Sequence, residues 1–230
     1  MGKIMDKPRT DDKAPHMSNS NVMSDQTSGQ NAFEQKTVAI VSAATTAFLT
    51  QGYEATSMDS IALAANVSKR TVYSRFQSKD ELFGAAIESS CRKLIPVNPC
   101  DVGTDLNAEE FIHALSLHFV KGILRPEALA LRRLATFESG RNKTIGRTYL
   151  EHGPQWIVEN FAPLLGRFAQ SSELKIDDPE QALWRLGALI SEPLHNRMLM
   201  GEEFANLEKE ILDQVEYGVA TFFKIYNATA

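Results

Sequence analysis

Between Asn66 and Lys79 the chain carries four bases, Lys69, Arg70, Arg75 and Lys79, and no acid, although 29 acids outnumber 24 bases over its 230 residues. Guanidinium and ammonium groups at that density answer a polyanion. An arginine presents parallel donors that match guanine O6 and N7, and hydroxyls beside it can donate to phosphate oxygens. Ser68, Thr71, Tyr73 and Ser74 supply hydroxyls within the same run. The chemistry on offer is recognition of a DNA duplex, with Lys69, Arg70 and Thr71 in the groove and Tyr73, Ser74, Arg75 and Lys79 on the backbone. The competing readings are a solvated basic face, or a helical interaction protein whose basic helix meets an acidic partner. They differ in outcome, since an electrostatic face binds DNA without regard to sequence.

Reading DNA requires elements that hold this run out to the groove. Val38, Val41, Ala44 and Phe48 recur on one face of a helix that Gly52 stops in the left-handed region. Thr56 or Ser57 caps a second, short helix that turns Ile61, Ala62 and Ala65 inward. Asn66 tolerates the left-handed conformation of a sharp turn. Ser68 then caps a third helix over 69–76, and Ser78 opens a fourth as an S-x-x-E capping box with Glu81. Two capped helices joined by a short turn, the second basic, form a helix-turn-helix. The N-terminal residues of its second helix reach base edges, and Lys79 lies beside the open amides of the fourth helix.

The stretch "GYEATSMDSIALAANVSKRTVYSRFQSKDELF", Gly52 to Phe83, resembles the DNA-binding domain of the tetracycline-repressor (TetR) family of bacterial regulators. The family pattern is matched at Gly52, Thr56, Ser57, Ile61, Ala62, Ala65, Val67, Ser68, Thr71, Tyr73, Arg75, Phe76, Lys79, Asp80 and Leu82, and departs at Asn66, where glycine is usual. The resemblance covers about residues 33–93. It implies an all-α homodimer in which an N-terminal three-helix helix-turn-helix domain, closed by a fourth helix, precedes a C-terminal ligand-binding and dimerisation domain. By matched position, Thr56 and Ser57 meet phosphate, Lys69, Arg70 and Thr71 sit at the groove, and Tyr73 and Lys79 lie on phosphates. The stretch "ALRRLATFESGRNKTIGRTYLEHGP" is similar to the AefR-like subgroup. The implied partners are a palindromic double-stranded operator, a second copy of the chain and a small-molecule effector.

The rest of the chain reads as helices. Residues 1–32 are polar and form an expected disordered tail without the apolar core of a signal peptide, and 94–230 form the second domain after a linker marked by Pro96, Pro99 and Gly103. One helix is expected from Pro179 to Gly201 and a last one from Phe204, with distortions at Gly153-Pro154 and Pro163. Leu186, Leu189, Ile190 and Leu194 line one side of the first, and Ile211, Val215, Val219 and Phe222 line the second. These stripes suit either a dimer interface or an ordinary internal core. Polar and aromatic residues on apolar faces, His118, Phe137, Tyr149, Trp156, Trp184 and His195, are the candidate effector contacts, with core packing as the alternative. Arg132 and Arg133 beside Glu138 suit an anionic effector, or more simply an ion-pair network between domains.

Enzymatic readings find no footing. His113 and His118 are spaced five apart, so they do not share a face as a zinc pair does. "ESGRN" lacks the first glycine of a nucleophile elbow, and no glycine-rich phosphate loop occurs. Cys91 and Cys100 suit reduced thiols in a cytoplasmic protein, with no disulfide framework, metal site or cofactor implied. No run is long and apolar enough for a membrane span.

Overall fold

The computed structural model describes residues 20–94, 107–170 and 174–227. The N-terminal half holds α1 (Ser20–Gln51), α2 (Met58–Ala64), α3 (Lys69–Tyr73) and α4 (Lys79–Leu94). The C-terminal half holds α5 (Ala108–Ile123), α6 (Pro126–Ser139), α7 (Lys143–Leu150), α8 (Trp156–Gln170), α9 (Pro179–Ser191), α10 (Leu194–Leu199) and α11 (Leu207–Tyr226). Among the described residues the only strand-like pairing is one antiparallel bridge, Leu174 to Asn227. The fold is all-α, as expected.

α1 begins at Ser20, so residues 20–32 are helical rather than tail; residues 1–19 and the 95–106 linker, with Cys100, lie outside the described residues. Once the buried turns of α1 have nucleated the helix, each further residue adds a hydrogen bond at little cost. Its inward face is Ile40, Val41, Ala44, Ala47 and Phe48, whereas Val38 is exposed. Steps of three residues drift around a 3.6-residue helix, so the stripe passes from Val41 to Ile40 instead of Val38. Phe48, Tyr53 and Phe83 form the centre of this half, with every pair of ring centroids 5.4–5.5 Å apart.

α4 is shared between the halves. Its first turns bury Leu82 and Phe83 against α1, and it then packs on α5, α7 and a π-helical turn, Glu151–Gln155, that joins α7 to α8. Pro154 lies in that turn and has no N–H for the α-helical ladder, which accounts for the expected distortion there; α8 runs unbroken through Pro163. The His152 ring lies where a Gly84 side chain would be, 2.7 Å from an ideal Cβ position.

The single helix expected over 179–201 is two. Pro193 excludes the helical conformation at Glu192, which is extended (φ −95°, ψ 142°), and α10 restarts beyond it. Leu186, Ile190, Leu194, Ile211, Val215, Val219 and Phe222 are all buried inside the chain, and Leu189 is half-buried against the same core. The stripe expected to pair two subunits is therefore the contact of α9 with α11 in one subunit. The helices meet at Gly218, where an added Cβ would lie 2.7 Å from the Leu189 carbonyl oxygen and 2.8 Å from the Ile190 Cα.

Candidate nucleic-acid interface and effector cavity

The turn between α2 and α3 is built as its sequence suggests. Asn66 adopts φ +53°, with its N–H on the Leu63 carbonyl and the Val67 N–H on the Ala62 carbonyl, a Schellman closure with asparagine in glycine's usual place. Ser57 and Ser60 cap α2 reciprocally, and the Ser68 hydroxyl accepts the Thr71 N–H at 3.1 Å. Ser78 Oγ accepts the Glu81 N–H at 3.0 Å, but the Glu81 carboxylate takes the Gln77 N–H at 2.6 Å, one residue before the expected partner. α3 ends at Tyr73, shorter than the expected 69–76, because Arg75 and Phe76 both donate their N–H to the Val72 carbonyl.

The ten residues expected to face DNA divide into two groups. Ser57, Ser68, Lys69, Arg70, Tyr73 and Ser74 are exposed and Thr71 is half-exposed. Lys69 pairs with Asp59 of α2, which steadies the start of α3, and the Arg70 side chain has no partner among the described residues. The remaining three work inside the domain. Thr56 is buried and its hydroxyl donates to the Gly52 carbonyl at 2.7 Å, which removes it as a phosphate contact. Arg75 donates to Thr37 Oγ1 at 3.0 Å and stacks over the Phe33 ring at 4.2 Å, tying α3 to α1. The Lys79 ammonium donates to the carbonyls of Tyr53, Glu54 and Thr56 at 2.8–3.3 Å, so its three donors hold the α1–α2 loop instead of lying free at a helix end.

Among α4 to α10 lies a cavity of about 290 Å³. Of the six candidate effector contacts, Tyr149, Trp184 and His195 line it. The other three candidates do not: His118 is exposed with Nδ1 3.1 Å from the Ala114 carbonyl, Phe137 is exposed under the Arg141 guanidinium, and Trp156 stacks with Arg92. The cavity adds residues that the sequence reading passed over, Ser116, Cys91 and the Gly153-Pro154 turn, none of which has a distinguishing neighbour in sequence. The expected ion-pair network is absent among the described residues, where Arg132, Arg133 and Glu138 form no salt bridge. Arg133 caps α10 through the Met198 and Leu199 carbonyls, whereas Arg132 lines the cavity.

Burial, with the Glu88 charge adding to it, pushes the Cys91 thiol up to about 12, so it stays protonated and is no thiolate nucleophile. Burial and then the Arg132 charge depress His195 to about 4, so it is neutral at pH 7 and its 3.6 Å approach to Glu192 is not an ion pair there. A histidine whose folded pKa is lowered gives stability that is complete above its unfolded value near 6.5 and is lost as pH falls toward 4, because only the unfolded chain takes up the proton in that window. The loss is on the order of 3 kcal/mol at about 1.4 kcal/mol per unit. His195→Gln should flatten the pH dependence of the thermal midpoint between pH 6.5 and 4; an unchanged profile would remove His195 from that role.

A capped basic helix held clear of a small helical core, joined through α4 to a second helical unit, defines a DNA-binding helix-turn-helix regulator. Residues 40–86 match the tetR family of bacterial regulatory proteins, and residues 110–228 match the AefR-like transcriptional repressor C-terminal domain. The chain belongs to the TetR family. Similar solved structures include a TetR-family regulator of Mesorhizobium loti MAFF303099 (25% identity, 85% of this chain and 98% of that one, TM-score 0.71). Another is the flavonoid-responsive regulator FrrA (30% identity, 86% and 100%, TM-score 0.67). A 44-residue segment is 52% identical to the uncharacterized HTH-type regulator YhgD of Bacillus subtilis strain 168, spanning 19% of this chain and 23% of that protein. It is a non-enzymatic family, and among the described residues no helix is long and apolar enough to cross a membrane.

Arg70 is exposed in the first turn of α3, the position from which a recognition helix reaches base edges. Arg70→Ala should cost about 1–3 kcal/mol of discrimination at one base position, measured by competition between the preferred duplex and single-base variants. Unchanged discrimination would show that Arg70 does not read a base.

Proposed function

We propose that the chain is a homodimeric repressor that acts in the cytoplasm, binds a palindromic operator and leaves it when a small molecule fills the C-terminal cavity. Residues 33–93 serve DNA binding, and 94–230 serve effector binding and pairing. The observation that carries this reading is the exposed Arg70 on a capped helix of a TetR-family chain, joined by α4 to a largely apolar cavity. Each subunit lays α3 in one major groove, with half-sites about one helical turn apart.

Pairing falls to the outward faces of α9 and α11, since their inward faces are filled. On α11, Tyr217 is exposed at 67%, with Ala220 exposed three residues on. Release follows from α4, whose Ile87, Ser90 and Cys91 line the cavity while its first turn anchors the loop before α2 through Lys79. A ligand that moves α4 changes the separation of the two α3 helices. It must bind the DNA-incompetent state more tightly, and about 1.4 kcal/mol of difference yields only tenfold release. The description of FrrA as flavonoid-responsive supports a small organic effector.

Sedimentation of the purified chain tests the pairing. A dimer is expected at micromolar concentration, with Tyr217→Asp monomeric and much weaker on DNA. A variant that stays dimeric would move the interface elsewhere.

A further inference from the structure

The cavity's polar groups are unevenly matched. Its walls are largely apolar, with Leu115, Phe119, Leu131, Ile157, Phe161 and Leu186 among them. Into this surface come three donor-bearing side chains that the fold leaves underused. Arg132 is half-buried, lines the cavity and makes no ion pair among the described residues. Ser116 lines the same cavity, is fully buried, and its hydroxyl has no hydrogen-bond partner among the described residues. Tyr149 lines the same cavity, and its O–H can donate to a ligand acceptor. Burial raises the Tyr149 phenol above its ordinary value, against the opposing pull of Arg132, so that proton is retained. The one carboxylate among the lining residues is Glu192, whose Oε2 accepts the Asn196 N–H at 3.3 Å and whose Oε1 lies 3.6 Å from His195 Nδ1.

A guanidinium beside an apolar cavity without a counter-charge is costly to desolvate, and a buried hydroxyl without a partner adds to that cost. Both are relieved by one ligand feature, an anionic acceptor. From the unpaired Arg132, the Tyr149 donor and the orphaned Ser116 hydroxyl we infer that the effector is a compact hydrophobic carboxylic acid, its carboxylate on Arg132 and Tyr149 and its body against the apolar walls. One cation calls for one negative charge, which favours a monoanionic carboxylate over a phosphate. A cavity of about 290 Å³ suits a one- or two-ring body, at the small end of ligand sites. The inference rests on the cavity being the effector site proposed above.

Isothermal titration of the full-length chain with 2-naphthoate and with its uncharged isostere 2-naphthamide tests it. The acid should bind roughly ten- to hundredfold more tightly than the amide, the size of a charge-assisted hydrogen-bond pair in a dry site. Arg132→Gln should bring the two to parity, and Arg132→Lys should keep part of the preference. Equal affinity of acid and amide for the wild-type chain would overturn the acid inference while leaving the cavity as an effector site. A preference for the acid that survives Arg132→Gln would overturn the assignment to Arg132. Binding of neither compound would overturn the inference together with the reading of the cavity. The wild-type comparison and Arg132→Lys decide the matter even if Arg132→Gln fails to fold.

Discussion

Phe83→Ala is expected to cost about 3–5 kcal/mol and to abolish DNA binding. Phe83 is fully buried, and its ring meets Phe48 edge-on at 5.4 Å and Tyr53 at 5.5 Å. Removing it opens a void between α1 and α4, against which the helix-turn-helix is braced. Tyr53 suffers a second loss, since its hydroxyl donates to Asp80 and its carbonyl accepts from Lys79. Through those contacts the damage reaches the loop before α2. Urea unfolding followed by circular dichroism reads the cost directly, and a loss under about 1 kcal/mol would contradict the account of this core.

Gly218→Ala should also destabilise, although alanine in a helix interior is ordinarily worth about 1 kcal/mol over glycine. The new methyl group would meet backbone, the Leu189 carbonyl oxygen at 2.7 Å and the Ile190 Cα at 2.8 Å, and backbone cannot rotate aside as a side chain can. α9 and α11 must part, and overpacking of this kind costs about 1–3 kcal/mol. After the propensity gain a net loss of about 1 kcal/mol remains, which lowers the thermal midpoint by roughly 2–4 °C in a chain of this size. Gly187→Ala is the control, because nothing lies within 4 Å of its Cβ position and the same propensity gain should appear as a rise. A midpoint raised equally by both substitutions would mean that the helices do not approach so closely at Gly218.

What could be read from sequence was whatever a few neighbouring residues determine. Ser57, Ser68 and Ser78 cap helices and Asn66 turns the chain, because caps and left-handed turns are made by local atoms. The helix-turn-helix was therefore legible to within three residues, the stretch by which α3 falls short of 69–76. Assignments that depended on a distant partner failed. Lys79 and Arg75 look like phosphate ligands in sequence, but their acceptors, the Tyr53 carbonyl and Thr37, lie 26 and 38 residues away. The stripe of α9 and α11 carries the same period whether it faces its own subunit or another, so only the fold could assign it to the interior. The cavity was half legible. Tyr149, Trp184 and His195 stood out as polar or aromatic groups on apolar faces, while Ser116 is an ordinary serine until its burial without a partner is seen.

The central claim is that α3 reads a two-fold-symmetric DNA site. Selection of binding sites from random duplex DNA by the purified chain, at two salt concentrations, tests it most directly. An inverted repeat is expected, its half-site centres about one helical turn, roughly 34 Å, apart, retained at the higher salt with weaker affinity. Recovery of motif-free DNA whose binding simply fades with salt would contradict it, and would reduce the basic helix to an electrostatic face.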